Sequence, residues 1–298
     1  MEFSERKQRA YTQYGFAHIS GGDAMRALIA PIHQGIERAV ALVASHHGVD
    51  VNGLNFEEGF DALCERDREL GSQVYDIVRQ LPAFSRLASA DAIESLAKGA
   101  LGTDDVAIAH AGSGVRIDRP GEQKFSADWH QEFPAQGRAK QGVTLWIPLV
   151  PVDASMGPVE LCPGTQAAGA LPTRQRTDRQ DAYGIEIENI DDVLFGQMRI
   201  APPADVGDVL LIDYMTVHRS GENHSPRTRW SVQVRYFSMT CSWGIQNRWN
   251  KTNKQRMRAS ESEQPSKAVS IATLAPYEPP MLIRGAFQAA ETPKSNAA

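Results

Sequence analysis

A chain of 298 residues, 42% hydrophobic and 22% charged, can bury a large core and has the balance of a globular protein. Its net charge of −5 argues against non-specific nucleic-acid binding, although a local basic patch stays open. The three cysteines (Cys64, Cys162 and Cys241) are odd in number, far apart and without a C-x-x-C pair, which fits a reduced interior better than a disulfide framework or a zinc cage.

The charged start, Met1 to Lys7, lacks the apolar run of a signal peptide. No stretch approaches the roughly 20 apolar residues that span a bilayer. A cytoplasmic chain without membrane association is the expectation. The first hundred residues then read as helical. Asp23 can cap a helix in which Met25, Leu28, Ile29, Ile32, Ile36, Val40 and Val43 recur at spacings of three and four. Pro31 inside that pattern predicts a kink or a break. The pair His46-His47 reads as a solvated helix end, because neighbours on a helix face different directions. Asn55 to Gln80 continues the helical pattern, and Ala90 to Ala100 makes a last short helix near Gly99 and Gly102.

From about Asp105 the pattern changes to short β-branched runs bounded by Gly and Pro. Strands are expected at Val106–His110, Gly114–Asp118, Gly142–Val150, Val159–Cys162, Asp208–Ile212 and Trp230–Met239. Met156-Gly157-Pro158 is a turn. Many short strands with frequent turns point to a sandwich or barrel. The polar region between Thr165 and Arg199, with Arg174, Arg176 and Arg179, reads equally as an active-site lid or a surface insertion. The basic run Arg248 to Arg258 reads as a solvated helical face, with a grip on a substrate anion as the alternative. The expected organisation is one domain over 1–285, followed by a disordered tail over 286–298. Within it lie a helical part (about 1–103), a β core (about 104–240) and an extension (241–285).

Chemistry concentrates at Asp128-Trp129-His130-Gln131-Glu132. On an extended segment His130 and Glu132 face the same way, because side chains alternate with period 2. One imidazole and one carboxylate are two thirds of a facial metal triad. His218, at the end of the Gly207–His218 strand, supplies the third donor in preference to His224, which sits in a turn-like stretch. Two histidines and a carboxylate leave half an octahedron open, as suits non-haem Fe(II) oxygenases. Arg229 and Ser231, on one face of the last long strand, suit the distal carboxylate of a diacid co-substrate. His110, Arg116, Asp118, Gln123, Gln233 and Arg235 are candidates for substrate choice. Gln233 and Arg235 read more simply as rim residues in ordinary hydrogen bonds.

The series W-H-Q-E, L-W-I-P-L-V, G-P-V-E-L-C-P-G-T, G-D-V-L-L-I-D, H-R-S-G-E-N and R-T-R-W-S, from about Gly114 to Met239, resembles the phytanoyl-CoA dioxygenase family of Fe(II)/2-oxoglutarate oxygenases. Tyr14 to Ile19 resembles that family's opening strand. The resemblance implies a double-stranded β-helix, a cupin-like jelly roll, backed by N-terminal helices. It implies Fe(II) held by His130, Glu132 and His218, with 2-oxoglutarate and O2 as co-substrates. Arg229 would hold the C5 carboxylate, and Gln131, Trp146 and Ser220 would contact the co-substrate. The family usually has aspartate where this chain has Glu132. Related halogenases carry Ala or Gly there, so a retained carboxylate implies oxidation rather than halogenation.

The expected function is hydroxylation of an unactivated C–H bond in a small polar metabolite or natural-product intermediate, with release of succinate and CO2. Desaturation, epimerisation or ring formation at the same centre are alternatives. So are a non-catalytic jelly-roll binding protein and a zinc hydrolase on a cupin-like barrel. The implied partner is a small molecule, with neither nucleic acid nor membrane, on a monomer or homodimer.

Overall fold

A computed structural model of the chain describes residues 3–122, 126–175 and 184–249. Gln123, Arg176, Arg179, the basic run beyond Trp249 and the tail lie outside the described residues.

The helical part contains α1 (Glu5–Tyr14), α2 (Gly22–His47), α3 (Phe56–Arg66), α4 (Arg68–Val78), α5 (Pro82–Ala88) and α6 (Asp91–Leu101). The strand β1 (Phe16–Ser20) lies between α1 and α2. The Asn55–Gln80 pattern divides into α3 and α4 because Asp67 leaves the helical region and caps α4 through its side chain. Asn55 and Glu58 form a reciprocal capping box that starts α3. Of the kink or break expected at Pro31, a break is absent, since α2 runs through it, and Asp23 lies in its first turn rather than at its cap. Contrary to the sequence expectation, α2 is long and apolar enough by length and composition to cross a bilayer. Here its apolar stripe, including Met25, Ile29, Ile32 and Ile36, is buried in the main core.

The β part contains β2 (Val106–Ile108), β3 (Gly114–Asp118), α7 (Glu132–Gln136), β4 (Gly142–Pro148) and β5 (Glu160–Leu161). It continues with β6 (Thr173–Gln175), β7 (Ile185–Ile187), α8 (Ile190–Leu194), β8 (Asp208–Asp213), β9 (His218–Arg219), β10 (Arg229–Ser238) and α9 (Ser242–Asn247). The large antiparallel sheet has the order β1-β8-β4-β10-β2, and β3 also pairs with β10. The small sheet pairs β5 with β9, extended by single bridges from Ile200 to Leu161 and from His130 to His218. Together these are the two sheets of a jelly roll backed by helices. The region read as lid or insertion contains the β6–β7 hairpin, across which Arg174 pairs with Glu186, and then α8.

Strand β10 shows how the layers are made. Trp230, Val232, Val234 and Tyr236 alternate onto the helical side, where the Trp230 ring meets Phe56 and Phe60 edge-on. The Tyr236 hydroxyl donates to the Ala88 carbonyl at 2.6 Å. Arg229, Ser231, Gln233 and Arg235 therefore face the opposite way, into the jelly roll. Their partners in register on β4 include Trp146 opposite Gln233 and Thr144 opposite Arg235. Gly157 closes the end of the roll. It has φ 71°, and a Cβ there would lie 2.3 Å from the Glu222 carbonyl oxygen, so no larger residue fits.

Candidate metal centre

The two histidines are brought together by backbone pairing. His130 and His218 are partners in an antiparallel bridge and exchange both N–H···O bonds, at 2.9 and 3.0 Å. Cross-strand partners project to the same side, and the imidazole centroids lie 4.2 Å apart. The His130 ring meets the Asp128 carbonyl through Nδ1 at 2.7 Å, and the His218 ring meets the Thr216 carbonyl through Nδ1 at 2.9 Å. A carbonyl only accepts, so each Nδ1 carries a hydrogen and each Nε2 is the nitrogen turned toward a cation.

Glu132 is not on a strand, as the H-x-E spacing suggested; it opens α7. The spacing still works because Gln131 between them is extended, at φ −112° and ψ 145°. Pro134 falls in the first turn of α7, where its missing N–H has no intrahelical role. One Glu132 oxygen, Oε1, lies 3.8 Å from His130 Nε2 and 3.9 Å from His218 Nε2. The three donor atoms all lie within 4.8 Å of one another, and all three residues are buried.

The electrostatics suit a cation. Burial and the neighbouring His130 push the His218 imidazole down to about 3, so it is neutral near pH 7. Burial alone would raise the Glu132 carboxyl, but the Arg235 guanidinium and the His130 ring outweigh it and hold it well below the usual range. A neutral His218 imidazole, the His130 ring and one carboxylate therefore converge from one side. Donors around a cation with bonds of roughly 2.1 Å lie about 3 Å apart, so each carboxylate–imidazole gap needs to close by about an ångström. The donor set fits a divalent iron with an open side.

The cavity beside the triad is lined by Arg116, Ala127, Thr144, Trp146, Val159, Ile212, Arg219, Ser220, Gln233 and Arg235. Trp146 and Ser220, expected at the co-substrate, are among these lining residues. Gln131 does not line this cavity. It is buried, its amide nitrogen donates to the Gly169 and Met215 carbonyls, and its oxygen accepts from the Leu171 N–H. These bonds tie it to the loops around the site. Arg229 lines an adjacent cavity and is ion-paired to Asp118, with Nη2 at 3.1 Å from Oδ2. Asp118 also accepts from Arg116 at 3.2 Å, so one carboxylate faces two guanidiniums. The Ser231 hydroxyl is fully buried with no hydrogen-bond partner among the described residues. His224 is exposed and beside Glu222, away from the triad, and His110 is exposed at a 3-10 turn.

Arg235, read from the sequence as a rim residue, is 7% exposed and grips Glu132 at both oxygens. The available signal was its place on the Arg229-Ser231-Gln233-Arg235 face, six residues from a proposed carboxylate clamp. Arg219 was missed as a cavity residue. It follows His218 directly, pairs with Glu160 at 2.8 Å and lies over the Trp129 ring.

The sequence model of the phytanoyl-CoA dioxygenase (PhyH) family matches residues 11–231. No curated protein sequence matches the chain. Among solved structures the chain is similar to the epimerase SnoN in complex with Fe3+, alpha ketoglutarate and nogalamycin RO. Identity there is 20%, over 82% of this chain and 88% of SnoN, with a TM-score of 0.55. It is also similar to EctD from S. alaskensis with 2-oxoglutarate and 5-hydroxyectoine. That match has 19% identity, covers 80% of this chain and 77% of EctD, and has a TM-score of 0.51. At such identities the likeness is one of fold.

Proposed function

The chain belongs to the phytanoyl-CoA dioxygenase family and is an Fe(II)/2-oxoglutarate-dependent oxygenase, and we propose that it hydroxylates an unactivated C–H bond of a small polar metabolite or natural-product intermediate. The observation that carries this reading is the buried convergence of His130 Nε2, Glu132 Oε1 and His218 Nε2 at the edge of a lined cavity. These three atoms would hold the iron. When bound, iron with 2-oxoglutarate and O2 supplies the oxidising power, and succinate and CO2 leave as co-products.

The remaining work belongs to the chain's own side chains. Trp146, Val159 and Ile212 give the cavity an apolar wall that limits water around the reacting carbon. Gln233, Arg219 and Arg116 offer hydrogen-bond donors at fixed places around it, which suits a polar substrate better than a hydrocarbon chain. For the distal carboxylate of 2-oxoglutarate the reading is Arg229 with Ser231. What supports it is the buried hydroxyl without a partner, two residues along the same face, and the surplus of positive charge around Asp118. An incoming carboxylate would balance that charge and accept from the hydroxyl. Arg116 is the rival clamp, because it lines the iron cavity itself.

Succinate release with Fe(II), 2-oxoglutarate and a panel of polar substrates tests the oxygenase reading. Oxygen transfer into the product distinguishes hydroxylation from a stereochemical outcome such as that of the epimerase SnoN. Anaerobic 2-oxoglutarate binding decides the clamp. Arg229→Ala should weaken it by about 2–5 kcal/mol, the cost of unpairing a close buried charge. A loss in Arg116→Ala with no change in Arg229→Ala would move the clamp to Arg116.

A further inference from the structure

We propose that Arg235 is the positioning residue for the Glu132 carboxylate, so that this chain presents a Glu–Arg pair, rather than a lone carboxylate, to its metal. The inference rests on the reading of Glu132 as an iron ligand and adds a residue to it.

The geometry is a fork on a carboxylate. Arg235 Nη2 donates to Glu132 Oε1 at 2.6 Å, and Nε donates to Oε2 at 2.9 Å. Gln136 adds a longer contact to Oε2 at 3.4 Å. Oε1 also faces both imidazoles, at 3.8 and 3.9 Å. A planar guanidinium holding both oxygens prevents the carboxylate from turning about its own axis unless both bonds break. It leaves one oxygen for the cation and keeps the other away from it. The arginine is itself fixed. Its Nη1 donates to the Gly112 carbonyl, Nη2 also reaches Gln233 Oε1 at 2.6 Å, and its backbone sits in the middle of β10 opposite Thr144.

This arrangement answers a need that the sequence creates. Glutamate has one more rotatable bond than aspartate, and α7 is a five-residue helix with little rigidity of its own. An unsupported glutamate there would sample several rotamers and both one-oxygen and two-oxygen binding. Anchoring it from the most extensively paired strand removes that freedom. The extra methylene, roughly 1.5 Å of reach, lets the carboxylate touch Arg235 and the imidazoles at once.

The test uses Co(II) in place of iron, bound anaerobically to the full chain, with affinity from calorimetry and coordination from the visible absorption of the ion. Circular dichroism of the metal-free protein checks folding. Arg235→Lys keeps the charge but loses the fork; it should weaken Co(II) binding about 10–100-fold, the usual range for partners of metal ligands. It should also change the Co(II) spectrum, which a merely structural role would not do. Glu132→Asp keeps both charges and should show the same two changes; it carries the test if Arg235→Lys does not fold. Combining the two should cost less than the sum of the single losses. Parent affinity and spectrum in the folded Arg235→Lys variant, or in Glu132→Asp, would overturn the proposal. Undiminished Co(II) binding in Glu132→Ala would instead overturn the ligand reading beneath it, and the proposal with it.

Discussion

The two faces of β10 are about equally buried and are held in opposite ways. Toward the helices, Trp230, Val232, Val234 and Tyr236 are covered by hydrocarbon and aromatic rings, and the gain is the removal of apolar area from water. Toward the jelly roll, Arg229, Ser231 and Arg235 are just as inaccessible. Charge there is tolerated only because each guanidinium meets a carboxylate, Asp118 for one and Glu132 for the other. Burial by itself therefore says little about function on this strand. What separates the faces is whether a buried group has partners that another ligand could share.

The strongest break in that comparison is at the polar face. His130→Ala should abolish iron-dependent 2-oxoglutarate turnover while leaving the cooperative unfolding transition in place, because the backbone bridge to His218 does not need the imidazole. Retained turnover would remove the metal assignment. Next is the apolar face, where Trp230→Ala should cost about 3–5 kcal/mol of stability through the cavity left between Phe56 and Phe60. Its signature is a lower denaturation midpoint with unchanged 2-oxoglutarate affinity per folded molecule; a large affinity loss would mean the two faces are coupled.

The smallest effect concerns Asp213, at the end of β8 beside the polar side. Burial raises its carboxyl to about 6, although the Met215 N–H bond opposes the shift. The folded state then binds a proton more readily than the unfolded chain between roughly pH 4 and 6. This residue's contribution to stability falls as pH rises through that window and stays lower above it. Asp213→Asn keeps the acceptor for Met215 and should flatten the dependence, with a relative gain near pH 7. An unchanged slope across pH 4–6 in the variant would assign the dependence to other groups.

How far the sequence carried depends on distance along the chain. Alternation within ten residues made both faces of β10 readable. The H-x-E pair was read by the same rule, which holds there only through the extended Gln131, because Glu132 itself opens α7. His218 was found by its strand-end position and by the order of the family's motifs. The Glu132–Arg235 fork joins residues 103 positions apart, and nothing local distinguishes an arginine that meets a carboxylate from one at a rim. The same holds for Asp118 between Arg116 and Arg229, and for Gln131, whose partners are backbone groups of loops. Helix α2 shows the reverse case. Its local pattern predicted a kink or a break at Pro31, and packing of its apolar stripe accompanies an unbroken helix.

The most direct measurement is anomalous scattering at the iron edge from crystals grown anaerobically with Fe(II) and 2-oxoglutarate. The account predicts one strong peak within bonding distance of His130 Nε2, His218 Nε2 and a single Glu132 oxygen, with Arg235 still gripping the other. Iron bound elsewhere, or a Glu132 side chain turned away from it, would contradict the account.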